Sequence, residues 1–148
     1  MREDLIWKAY YGDGNPNLVE AFEQSIDKRL PDAYKKIVSK FNGACVNPDT
    51  FSFHSQVFNK RIEMEVGAFI PYGEAIDGIL NIEAMIEDRD LEIPVGLVPF
   101  SSLADGDYLC FDFRSRDARP PVVVWHTQNP ELTSIVSETF EAFLEALY

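Results

Sequence analysis

The sequence predicts an α+β fold in which N-terminal helices and a C-terminal helix pack on a mostly antiparallel central sheet. Helical periodicity dominates residues 17–41 and returns near the C-terminus. Between these regions lie short β-favouring runs separated by turns, and three of the runs fall within residues 95–126. Helices first, strands in the middle and a helix last are typical of an antiparallel sheet covered by helices.

The best-defined part of the predicted sheet is a hairpin over residues 94–114. Two apolar runs, 95–100 and 108–113, flank the turn Ala104-Asp105-Gly106-Asp107. Glycine takes a positive φ in such a turn without steric cost, so the pattern favours a hairpin. A third run, 122–126, follows a turn at Pro120-Pro121 and adds the next strand.

Two amphipathic helices are predicted before the sheet. Asn17 is the expected N-cap of the first, with Glu20 three residues later as in a capping box. Pro31 ends this helix and opens the second, which Asn42-Gly43 stops. Residues 1–16 fit either a short strand or a helical turn.

Shorter elements follow along the chain. Residues 51–53 and 62–68 alternate as strands do, and Asn81 is the expected cap of a short helix ending at Arg89. The final helix is predicted to open between Pro130 and Ser137. Its expected buried stripe is Ile135, Val136, Phe140, Phe143, Leu144 and Leu147.

Composition describes one globular domain spanning residues 1–148. At 148 residues and 46% hydrophobic content the chain can build its own core. The two cysteines lie far apart and form no C-x-x-C pair, which favours reduced thiols and a cytoplasmic protein, with a single disulfide as the alternative. No stretch approaches the roughly 20 apolar residues that span a bilayer, and the N-terminus lacks a signal-peptide core, so no membrane partner is predicted.

Charge is the strongest compositional feature, with 25 acidic residues against 13 basic ones and a formal net charge of −12. A surface of this sign repels phosphate backbones and argues against nucleic-acid binding. It would speed association with a basic protein partner. Solubility alone is the alternative explanation.

The sequence offers little that points to catalysis. Only His54 and His126 supply imidazoles, and no zincin, nucleophile-elbow, P-loop or dinucleotide-binding motif is present. Asp105, Asp107, Asp112 and His126 leave open a metal-assisted hydrolase. The simpler interpretation is that Asp105 and Gly106 form the turn, Asp107 accepts turn amides, and Asp112 faces water or an arginine. We predict no catalytic residue, no metal and no cofactor.

Several motifs resemble one family. LPDAY at 30–34 with FNG at 41–43 is similar to a helix motif of the SUKH superfamily. VPF at 98–100, GDYLCFD at 106–112 and VVWH at 123–126 resemble its hairpin and following strand. SETFEAFL at 137–144 resembles its terminal helix. The chain is therefore identified as a member of this superfamily, which includes fungal cell-wall-assembly regulators and many bacterial proteins.

The resemblance implies a binding module and carries no catalytic residues. For compact bacterial members it implies an immunity protein that neutralises a polymorphic or contact-delivered toxin, often a basic nuclease. A regulatory scaffold like the fungal members is the alternative, and the hydrolase is the weakest. The expected mechanism is occlusion by an acidic, aromatic face. The predicted partner-binding residues are Asp105, Asp107, Tyr108, Asp112, Trp125 and His126.

Overall fold

A computed structural model describes residues 2–73, 81–88, 91–115 and 118–148 of the chain. Within these residues the elements follow in the order β1 (Ile6–Ala9), α1 (Pro16–Ile26), α2 (Asp32–Lys40), β2 (Ala44–Asn47), β3 (Thr50–Ser55), β4 (Lys60–Glu65), α3 (Ile82–Glu87), β5 (Leu97–Ser102), β6 (Tyr108–Asp112), β7 (Val122–Trp125), β8 (Thr133–Ser137) and α4 (Phe140–Glu145). The paired strands are antiparallel, which confirms the predicted α+β class.

The main sheet has the strand order β5-β6-β7-β8, and two-stranded sheets pair β1 with β2 and β3 with β4. The predicted hairpin is confirmed: Ser102 pairs with Tyr108 at the turn, and Leu97 pairs with Asp112 at the other end. Gly106 has a φ of 91° in the connecting turn. That left-handed conformation is the reason a glycine is suited to this position.

Both faces of the main sheet are apolar at its centre. Val122 and Val124 point into the large core beneath the helices, whereas Val123 and Trp125 belong to a smaller cluster on the opposite face. Burial on both faces explains why β7 is a continuous apolar run in which polar and apolar residues do not alternate. We call the second side the outer face, defined by Tyr108, Cys110, Asp112, Val123, Trp125, Thr133 and Ile135.

Aromatic rings fill the large core. Phe100 and Phe111 stack with their centroids 4.4 Å apart, and the fully buried Tyr34 of α2 packs edge-on to Phe111 at 5.0 Å. Such aromatic pairs add stabilisation beyond the area they bury. The hydroxyl of Tyr34 is 2.9 Å from that of Tyr72, so the polar end of the ring is satisfied inside the core.

The C-terminal prediction was wrong at its start. Residues 133–137 form the strand β8, and α4 begins at Phe140 after the N-cap Thr139. Two features favour the strand. Ile135 and Val136 are β-branched and suit a strand, and β8 pairs with β7, which would otherwise be an unpaired edge of the sheet. Ile135 is 53% exposed and not part of a buried stripe, whereas Phe140, Phe143, Leu144 and Leu147 are buried as predicted.

The start of α1 also differs from the prediction. The N-cap is Asn15, whose Oδ1 accepts a hydrogen bond from the amide of Asn17 at 3.0 Å, with Pro16 in the first turn. The helix ends at Ile26, before Leu30. Residues 6–9 take the strand alternative and pair with β2, a strand that the sequence did not indicate.

The short third helix agrees with its prediction. Asn81 caps it by accepting a hydrogen bond from the amide of Ala84 at 2.8 Å. The helix ends at Glu87, and the expected end at residue 89 lies outside the described residues. In the described part of the chain, no helix has both the length and the apolar character needed to cross a membrane.

Candidate functional site

Five of the six predicted partner-binding residues lie at one end of the main sheet. Asp105 and Asp107 lie in the β5–β6 turn, Tyr108 begins β6 and pairs with Trp125 at the end of β7, and His126 follows directly. Asp112 lies at the other end of β6, roughly 15 Å along the strand from Asp107. The turns at the Asp107 end of the sheet comprise residues 56–59, 103–107 and 126–132. We call these three turns together the turn end.

A buried hydrogen-bond chain holds the turn end together. Nδ1 of His126 is 3.0 Å from Oδ2 of Asp107, and its Nε2 is 2.6 Å from Oγ of Ser134 on β8. Oγ of Ser134 also accepts a hydrogen bond from the amide of Gln56 at 2.8 Å. Oδ1 of Asp107 accepts a bond from the amide of Thr127 at 3.1 Å. This chain of hydrogen bonds therefore joins the three turns of the turn end.

The order Asp107, His126, Ser134 is that of a serine-hydrolase triad, yet the geometry assigns it a structural role. A nucleophilic serine needs an open approach for its substrate. Ser134 has no exposed surface, His126 is 5% exposed, and the Ser134 oxygen is already an acceptor for Gln56. Buried polar groups that satisfy one another in this way rigidify the segments that carry them.

The predicted role of Asp107 needs correction. Oδ1 of Asp105 accepts the turn amide, which is the amide of Asp107 itself, at 3.0 Å. Asp107 instead bonds His126 and Thr127 of the neighbouring turn. The sequence could not show this, because the contact joins segments that are distant along the chain.

Asp112 faces an arginine, as predicted. Arg114 Nη2 and Nε lie 2.9 and 3.0 Å from the two carboxylate oxygens, and Nη2 is 3.2 Å from Oγ1 of Thr133. Partial burial alone would raise the pKa of Asp112, but the Arg114 hydrogen bonds bring that pKa below its usual value. Beneath this pair, burial raises the pKa of Cys110, and a buried thiol of this kind is chemically inert.

The four side chains of the metal-assisted alternative are not brought together. Asp112 lies at the opposite end of β6 from Asp107, and Asp105 is exposed while His126 is buried. Across residues 2–73, 81–88, 91–115 and 118–148, no group of three or more His, Cys, Asp or Glu side chains could hold a metal ion.

Exposure divides the six predicted residues into two sets. Trp125 has no exposed surface, and its Nε1 donates to the carbonyl of Pro130 at 3.1 Å. Tyr108 stacks on Trp125 at 6.1 Å and is half-buried. A partner can therefore touch Asp105, Tyr108 and Asp112. Trp125 lies beneath Tyr108, and Asp107 and His126 are buried together in the turns next to Asp105.

Sequence reasoning missed Ser134 and Thr127, which complete the buried chain. Ser134 lies in the segment predicted as helix, and a helical pattern gives no indication that its side chain faces His126. The β-branched cluster Thr133, Ile135, Val136 was the available signal for a strand.

The described residues form a small α+β module in which a buried hydrogen-bond chain joins three turns at one end of the main sheet. The model of the SMI1 / KNR4 family (SUKH-1) matches residues 15–146. The chain belongs to this family, which confirms the resemblance seen in its motifs and supports a protein-interaction or immunity-type module. No curated protein matches the chain, and no solved structure does.

Proposed function

We propose that this protein is an immunity protein that binds a cognate, basic, nuclease-type toxin in the cytoplasm and blocks it by occlusion. The observation that carries the proposal is the net charge of −12 on a chain of the SMI1 / KNR4 family. A basic nuclease must expose positive charge to hold a phosphate backbone. An acidic protein of similar size can cover that same surface.

The mechanism needs no chemistry from this chain. Asp105 contributes to the negative potential that steers a basic partner and raises the association rate, whereas the charge of Asp112 is balanced by Arg114. Tyr108 supplies an aromatic contact, the kind of group that dominates binding energy once it is desolvated. The buried hydrogen-bond chain beneath the turns reduces the ordering that binding would otherwise cost.

The first experiment is capture from lysate of the source organism, with this chain of residues 1–148 as bait, at low and at physiological salt. We expect one basic partner that stays bound at physiological salt. The purified partner should cleave nucleic acid, and one equivalent of this protein should abolish the cleavage. A partner that keeps full activity in the complex would contradict occlusion.

Charge placement is tested with a matched pair of variants. Asp105→Asn removes a charge from the turn end and keeps the oxygen that accepts the turn amide, whereas Glu20→Gln removes a charge from the exposed side of α1. The association rate should fall for Asp105→Asn and change less for Glu20→Gln, with the difference shrinking at high salt. Equal effects would contradict the proposed surface.

The regulatory scaffold is the alternative within the same family. It predicts capture of several unrelated partners and no toxin, and that result would replace the immunity proposal.

A further inference from the structure

A pocket of about 280 Å³ opens beside the hairpin, between the β1–α1 connection, α3 and the start of β6. Its walls include Tyr11, Phe69, Ile70, Met85, Ser102 and Tyr108. This volume is small for a drug-sized ligand, and it suits a single long side chain. Of the six predicted partner-binding residues, only Tyr108 lines it.

The tyrosine on one wall is fixed by the FNG motif. The ring of Tyr11 packs so closely on Gly43 that a Cβ there would lie 2.5 Å from Cδ2 of the ring. Tyr10 braces the ring edge-on at 4.9 Å. Asn42 of the same motif accepts a hydrogen bond from the amide of Tyr72 at 2.9 Å and donates one to its carbonyl at 3.2 Å.

The remaining walls are also held in place. The amide of Ile70 donates to the carbonyl of Phe100 at 2.9 Å, which ties residues 68–71 to β5. Tyr108 stacks on the buried Trp125 at 6.1 Å. A pocket whose side chains are already positioned binds without the entropy cost of ordering them.

The wall chemistry matches one kind of side chain. Phe69, Ile70 and Met85 offer apolar surface to an aliphatic stem. The rings of Tyr11 and Tyr108 offer aromatic surface to a planar cation, and Ser102 offers a hydroxyl acceptor. Burial and then the nearby Asp88 carboxylate raise the pKa of Tyr108, so one carboxylate lies close to this wall.

We propose that this pocket receives one arginine side chain of the basic partner. The inference rests on the proposed function for the identity of the partner, and on the pocket itself for the residue type. Arginine fits better than lysine because its guanidinium is planar, stacks on aromatic rings and is more weakly hydrated.

The test is an amide chemical-shift titration of this protein with N-acetyl-arginine amide. N-acetyl-citrulline amide, which has nearly the same shape and no charge, is the matched ligand control. We expect saturable shifts at Tyr11, Met85 and Tyr108 with the arginine compound, with an affinity on the order of millimolar, and much smaller shifts with citrulline. Equal shifts with both compounds, or shifts scattered over acidic surfaces, would overturn the inference.

Variants of this protein distinguish binding to the Tyr108 ring from general attraction to the acidic surface. Tyr108→Phe keeps the ring that stacks on Trp125 and should still bind, whereas Tyr108→Leu should weaken binding by about fivefold or more. Tyr148→Leu makes the same change at an exposed tyrosine outside the pocket and should have no effect. Unchanged binding by a folded Tyr108→Leu protein would overturn the assignment.

The two proposals fail in different ways. If the arginine compound binds but capture yields no toxin, the pocket stands and the immunity proposal fails. If a toxin is captured and neutralised, and Tyr108→Leu binds it as tightly as the native chain does, the immunity proposal stands and the arginine pocket fails.

Discussion

Asp107 and His126 share a buried hydrogen bond of 3.0 Å across 19 residues of sequence. The bond ties the β5–β6 turn to the β7–β8 turn, and His126 extends the connection to Ser134 and the β3–β4 turn. Three turns that sequence separates therefore behave as one rigid end of the molecule. Such pre-organisation is what a binding surface needs.

We expect Asp107→Asn to lower the free energy of unfolding by about 1–3 kcal/mol, because an amide cannot accept all the bonds that the carboxylate accepts from His126 and Thr127. Urea denaturation measures the change, as a lower midpoint at unchanged m-value. The control Asp105→Asn keeps its acceptor oxygen on the exposed side of the same turn and should stay within about 0.5 kcal/mol of the native chain. Equal losses in the two variants would contradict the structural role of Asp107.

The Tyr34–Tyr72 hydroxyl pair predicts a non-additive double-mutant cycle. Tyr34→Phe leaves the buried Tyr72 hydroxyl without its partner and should cost about 1–3 kcal/mol of unfolding free energy. Tyr34→Phe combined with Tyr72→Phe should cost less than the sum of the single changes, because no hydroxyl is then left unpaired. Tyr10→Phe, at an exposed ring, is the control and should be neutral. Strict additivity would show that the two hydroxyls do not interact.

The elements that were predicted correctly are those with a local signal. Helical spacing of apolar residues predicts α2, and the Asp105-Gly106 turn predicts the hairpin. Asn81 predicts the start of α3, because it bonds the amide of Ala84 only three residues later. These signals involve neighbours in sequence, so a single chain displays them.

The largest error arises where a distant segment contributes to the outcome. Residues 133–137 alternate weakly, and pairing with the edge of β7 adds to the β-branched character of Ile135 and Val136 in making them a strand. The site follows the same rule: aromatic and acidic residues near the hairpin were predicted as a group, but burial separates Asp105 and Tyr108 from the supporting Trp125 and His126. Spacing shows which residues of one element share a face, but both faces of β7 are covered by segments that are distant along the chain.

Stability should fall in alkaline solution partly because of Cys110. Burial raises the pKa of this thiol above its ordinary 9.0, so above pH 9 the unfolded chain loses a proton that the folded chain keeps. Below pH 9 the thiol is protonated in both the folded and the unfolded chain, so the free energy of unfolding is at its full value. Above pH 9 the free energy of unfolding declines by about 1.4 kcal/mol for each further pH unit, until the folded thiol also ionises. Unfolding free energies of native and Cys110→Ala protein between pH 8 and 10, in reductant, measure the difference in slope.

Cys45 is the matched control for this measurement. Its thiol is only partly buried, so Cys45→Ala should flatten the alkaline decline less than Cys110→Ala does. Parallel declines in the native and Cys110→Ala proteins would contradict the prediction.

Gly43→Ala should destabilise the protein more than Gly106→Ala, although both glycines have left-handed backbone angles of 67° and 91°. The shared backbone strain costs about 1–2 kcal/mol at each position. At Gly43 the new methyl group would also press on the ring of Tyr11, whereas no atom lies within 4 Å at Gly106. Thermal or urea unfolding of the two variants gives the comparison, and equal losses would mean that Tyr11 moves aside freely. Because Tyr11 lines the proposed arginine pocket, Gly43→Ala should also weaken binding of N-acetyl-arginine amide, while Gly106→Ala should leave that binding unchanged.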